Sequence, residues 1–288
     1  MADIKLSDAL ALYRTPAKDE FPAIESRTVL NRIMKTAGTA FPRVRTTGFL
    51  TDIALPEKDG DIHFYIETRE GADKADEPMM ACEIQGIFKK GEKEDPRMKD
   101  FRQLFGKQVV VEALFRCWPE HLRDSRQPHL FQLHPVLSIG AVGEKPIDFL
   151  DRVVWPTGED EEEKDKTFSA TSAPPNGLEI KKDGVRIVFE TPSKSMKREN
   201  YIHVDGFVRE AAKKHTGGLV FQLFETEQSQ APIECFTAKG SPLFDKVQKL
   251  KPGHYEVGGL SGLDVPALAN PAPTWKVRLS PVLSLKKV

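Results

Sequence analysis

The sequence predicts a mostly β protein made of two five-stranded barrels, each with a helix between its third and fourth strands, behind an N-terminal helical flank. Three observations carry this. The phrase Pro135-Val136-Leu137-Ser138-Ile139 returns 146 residues later as Pro281-Val282-Leu283-Ser284-Leu285. Segments upstream of the phrase match in the same order in both halves. Several of them alternate apolar with polar residues, which is the period of a half-buried strand.

The flank spans residues 1–41. Ser26 is placed to cap a helix over Arg27–Ala37, with Val29, Leu30, Ile33 and Met34 as its buried stripe. The first strands hold Gly48-Phe49-Leu50 and Gly206-Phe207-Val208. The second run Ile62–Thr68 and Leu219–Thr226. The third are Met80–Ile84 and Ile233–Phe236, with Cys82 and Cys235 at matching positions. The first helix spans Pro96–Phe105 and gathers Met98, Phe101, Leu104 and Phe105 on one face. Its counterpart, Ser241–Leu250, gathers Leu243, Val247 and Leu250, with Ser241 expected as N-cap before Pro242. Fourth strands follow at Lys107–Leu114 and Gly253–Leu260. Fifth strands, from His129 and Thr274, run into the repeated phrase. The offset between copies shrinks from 158 to 153 to 146 along the chain, so the length differences fall in loops.

Three strands, a helix and two strands resemble the OB-fold, and the tandem arrangement resembles OB-fold proteins that bind single-stranded nucleic acid. The resemblance covers roughly residues 42–140 and 200–286 and rests on element order, not on a family motif. It implies a ligand face on the second and third strands and the loops beside them. The first barrel is then 42–154. An acidic, Pro/Ser-rich linker follows at 155–177. The second barrel is 178–288, led by a hairpin over Leu178–Phe189 that turns at Asp183-Gly184 and extends that barrel or covers its edge.

At 288 residues with 39% apolar and 30% charged side chains, the chain suits two globular domains. No long apolar run suggests a membrane span, and the N-terminus lacks the plan of a signal peptide, so a cytoplasmic protein is expected. The three cysteines form no CxxC pair and read as small core residues. Walker, G-x-S-x-G and H-E-x-x-H motifs are absent, and Asp59 and Asp61 read as turn residues. No enzyme activity, metal or cofactor is therefore expected. The net charge of −1 is uneven: residues 178–288 carry seventeen Lys/Arg against twelve Asp/Glu, residues 25–126 eighteen of each.

The expected partner is single-stranded DNA or RNA. The alternative is a protein partner or a second copy of the chain. In the first barrel, alternation turns His63 and Tyr65 outward on strand two. The segment from Phe115 to Arg126, read as the loop between strands four and five, offers Trp118 for stacking and Arg116, Arg123 and Arg126 for phosphate. In the second barrel Lys194, Lys197 and Arg198 precede strand one, and Arg209, Lys213 and Lys214 follow it. Phe224 faces outward beside Val220 and Gln222, an apolar surface that would also suit a protein.

Overall fold

The computed structural model describes residues 2–14, 16–17, 20–37, 43–54, 60–69, 79–87, 94–121, 129–155, 178–190 and 201–288. The expected linker, apart from Trp155, lies outside them. The flank contributes β1 (Ala2–Asp3), α1 (Leu6–Leu10), β2 (Ala23–Ile24) and α2 (Arg27–Ala37). The Ser26 hydroxyl accepts from Val29 N at 3.2 Å, the expected cap, and Leu30 and Ile33 are buried.

Barrel one follows: β3 (Arg43–Ile53), β4 (Ile62–Glu67), β5 (Met80–Ile84), α3 (Arg97–Arg102), β6 (Gln108–His121) and β7 (His129–Ala141). β3 pairs antiparallel with β4 and β6, β4 with β5, and β6 with β7; β5 closes the barrel by running parallel to β7. A short β8 (Ile147–Asp148) pairs with β7. Next come β9 (Glu179–Asp183) and β10 (Arg186–Glu190). Barrel two is β11 (Tyr201–Val208), β12 (Lys213–His215), β13 (Gly218–Phe224), β14 (Ile233–Ala238), α4 (Phe244–Gln248), β15 (Gly253–Leu263) and β16 (Val277–Lys287), with α5 (Val265–Ala269) between the last two strands. Its pairings repeat those of barrel one, including the parallel closure of β14 on β16. Both barrels are OB-folds by strand order and closure.

The repeat extends to detail. Cys82 faces Leu133 and Cys235 faces Leu279 in the parallel closures, and both cysteines are buried. The ladder of strands four and five is irregular at Glu112/Ala113 and at the matching Gly258/Gly259. Cis peptides precede Pro135 and Pro281. Gly48 and Gly206 are equivalent, and a Cβ on either would lie 2.9 or 2.6 Å from the carbonyl oxygen of Glu67 or Phe224. Strand one can curl onto strand two only where no side chain intervenes, which explains the shared Gly-Phe.

Three expectations change. The hairpin of β9 and β10 does not extend barrel two; β10 pairs with β2, so it joins the flank in a separate three-stranded sheet. Ser241 does not cap α4, which begins three residues later. Its hydroxyl donates to Ala238 O at 2.8 Å. Phe105 leaves the apolar face because α3 ends at Arg102, and it is exposed.

The two barrels dock face to face with an approximate twofold relation. Arg43 and Tyr201 hold the same position in β3 and β11, and each reaches the start of strand two in the other barrel. Tyr201 donates its hydroxyl to Asp61 at 2.6 Å. Arg43, paired with Glu112, donates to the carbonyls of Gly217 and Lys239 at 3.5 and 3.3 Å. On the axis, Arg116 donates to Ser261 O at 2.6 Å, beside Gly262, its own counterpart. Leu114 and Leu137 meet their equivalents Leu260 and Leu283 in one apolar cluster with Val153, Phe236 and Ala238. Burying a side chain of this size stabilises by about 1.5–3 kcal/mol.

Candidate nucleic-acid interface

Docking decides which predicted side chains can meet a ligand. His63 and Tyr65 do point away from the core of barrel one, but both are buried. This corrects the expectation of an open face: Glu83 lies against His63, and Tyr201 of barrel two covers Asp61 at the start of β4. Arg116 and Trp118 are corrected for a different reason. The segment read as a loop is β6, which continues to His121 and crosses β15 of barrel two. Trp118 is 1% exposed, 6.2 Å from Trp275, with Arg116 over its ring. Arg123, Arg126, Lys194, Lys197 and Arg198 lie outside the described residues.

Barrel two carries an aromatic row in which Phe207 and His254 are half-buried and Phe224 is buried. Phe224 of β13 faces Phe207 of β11, and Phe207 faces His254 of β15. Three neighbouring strands thus carry a ring each on one outer face. Phe207 and His254 stack with centroids 4.5 Å apart and planes 9° from parallel. At the other end the Arg209 guanidinium covers Phe224 at 3.7 Å, so Phe224 points outward as expected but is shielded from water. Arg209 donates to the carbonyls of Glu227 and Ser229, both at 2.6 Å, which holds the guanidinium over the ring. His254 Nε2 lies 2.8 Å from Asp205, which orients the imidazole.

Cations flank this row. Lys213 and Lys214 are exposed on β12, which pairs with β13 as a hairpin closed at Gly217 (φ 80°); Glu210 pairs with Lys213 at 2.6 Å. At the opposite end Lys249, Lys251, Lys286 and Lys287 are exposed near the start of β15 and the end of β16. The sequence points to Lys213 and Lys214 but not to Phe207, His254 or the four lysines at the opposite end. Phe207 was open to discovery, since alternation in Gly206-Phe207-Val208 turns it away from the core. The lysines looked like ordinary surface charge because α4 and β16 are far apart in sequence.

Barrel one carries a different polar set on its outer face. Glu83 Oε2 lies 3.0 Å from both His63 Nε2 and His134 Nδ1. Burial alone would raise the Glu83 carboxyl, but the two imidazoles reverse this and hold it well below the usual carboxylate range. Burial pushes His134 down, with Glu83 only partly offsetting it. Asp61 accepts from Tyr201 and from Gly86 N.

No family model matches this chain, and no curated protein sequence matches it. Among solved structures, it is similar to a deletion mutant of the single-stranded DNA binding protein from Thermus aquaticus. The identity is 12%, the alignment covers 84% of this chain and 91% of that one, and the TM-score is 0.23. The strand order in each barrel, not that likeness, establishes the fold.

Proposed function

We propose that the protein binds single-stranded nucleic acid, without catalysing a reaction on it, along the outer face of β13, β11 and β15 in barrel two. The observation that carries this is the row of Arg209, Phe224, Phe207 and His254. It joins flat groups side by side with cations at both ends. Bases stack on exposed aromatic rings with about 1–3 kcal/mol per base, and a fixed guanidinium plane serves the same purpose. Lys213, Lys214 and Lys287 then meet phosphates. Nothing in the row selects a base, so binding is tolerant of sequence.

The scaffold reading loses part of its motive. The apolar outer surface of barrel two, around Val220 and Phe236, already packs against barrel one. Among the described residues no helix is long and apolar enough to cross a membrane.

The test is fluorescence anisotropy with a labelled mixed-sequence strand of about 30 nucleotides, as DNA and as RNA, at low and physiological salt. Salt-sensitive binding, weakened by Phe207→Ala and by Lys213→Ala with Lys214→Ala, is the expected result. No binding at low salt, or binding indifferent to these changes, overturns the proposal.

A further inference from the structure

We propose that Asp61, Glu83 and His134, with His63 beside them, form a site for one divalent transition-metal ion, zinc by ligand chemistry, where the barrels meet. One potential ligand atom from each of Asp61, Glu83 and His134 falls within a group no more than 4.8 Å across, and all three residues are buried. The separations of 3.0 Å from Glu83 Oε2 to His134 Nδ1 and His63 Nε2 suit a tetrahedral ion, whose ligands at about 2.0–2.2 Å stand roughly 3.3 Å apart.

Two further observations point to a ligand. His134 is fully buried, and its Nδ1 faces the Glu83 carboxylate with Arg116 as a further neighbour at 3.4 Å, so its lone pair is directed into the cluster. Second, all four positions change together in the other barrel. The counterparts of Asp61, His63, Glu83 and His134 are Gly218, Val220, Phe236 and Ser280. Barrel two closes the same fold without the set, so the fold does not require it.

The donors discriminate among ions. Mixed imidazole and carboxylate suits zinc or cobalt, whereas magnesium and calcium prefer oxygen alone. Arg116, 3.4 Å from His134 Nδ1 and anchored on Ser261 O, offsets one of the two carboxylates; the other draws a cation. The Tyr201 hydroxyl on Asp61 acts as an outer partner from barrel two and ties ion binding to docking. The expectation of no metal rested on motif spacing. Here the donors come from β4, β5, β7 and the residue before β4, so linear spacing is silent.

The full chain should be refolded with cobalt(II), which reports an imidazole and carboxylate site by visible absorption, and with zinc, followed by metal analysis after desalting. The expected result is about one ion per chain, falling below about a tenth in Glu83→Gln and in His134→Ser. His134→Ser installs the residue that barrel two already uses at this position. Circular dichroism checks that each variant folds. Absence of the cobalt bands in the wild-type chain overturns the proposal, as does an ion retained in both variants. If both variants misfold, the wild-type spectrum alone decides: bands of imidazole and carboxylate ligation support the site.

Discussion

The two barrels carry different chemistry on matching positions of one scaffold. In barrel two, Arg209 lies over Phe224, next to Phe207 and His254. In barrel one the same four positions are Thr51, Glu67, Phe49 and Gln108, and Thr51 donates to Glu67 at 3.0 Å instead. A buried acid stands where barrel two has an aromatic ring, so barrel one offers no stacking ring at that position. On strands two and three the contrast runs the other way. Barrel one has His63 and Glu83 where barrel two has Val220 and Phe236. The lesson is that duplication preserved the inward residues, which the barrel core dictates, and released the outward ones for separate tasks.

Several measurements can break or sharpen this contrast. The largest effect belongs to the docked face of barrel one: Trp118→Ala should destabilise the chain by about 3–5 kcal/mol, read from urea unfolding. A change near zero would mean that Trp118 is not packed between the barrels. Arg116→Met should cost about 1.5–3 kcal/mol by the same assay, because it removes a charged donor from the Ser261 carbonyl.

Transplanting the barrel-one pair into barrel two, Arg209→Thr with Phe224→Glu, should weaken single-strand binding about tenfold or more while the chain stays folded. Equal affinity would move the interface elsewhere. Replacing Lys213 and Lys214 with alanine should leave stability unchanged and make the slope of log affinity against log salt shallower by about 1.4.

The smallest effect concerns the turn before each barrel helix. Asp95 of barrel one and Ser241 of barrel two each accept from the helix backbone through their carbonyls. Only Asp95 adds ion pairs, with Arg97 and Arg152. Hydrogen bonds from Arg97 hold its carboxyl at about 2. This is below the unfolded value of about 3.9, so its contribution is present above about pH 4 and lost as pH falls through 2. Arg97 and Arg152 are each about a quarter exposed, so solvent screens part of this contribution. Asp95→Asn should remove that portion of the acid slope, measured by urea unfolding between pH 5 and pH 2.5; an unaltered slope would assign the acid sensitivity to other carboxylates.

The sequence by itself determined the element order, the two closed barrels, the inward side of the second strand in each barrel and the Ser26 cap. These follow from period, composition and repetition over short stretches, where the interactions that decide them are local. It also placed Arg209, Lys213, Lys214 and Phe224 on the outside of barrel two. It could not decide which outer faces meet water. Alternation turns His63 away from the core of its own barrel, yet whether solvent or barrel two lies beyond the start of β4 depends on Tyr201, 140 residues after its partner Asp61. The same holds for Arg116, which reads as a loop cation and becomes a buried donor only because Ser261 stands opposite. Docking selects faces by complementarity of shape and polarity across the whole molecule, and that complementarity has no period in the sequence.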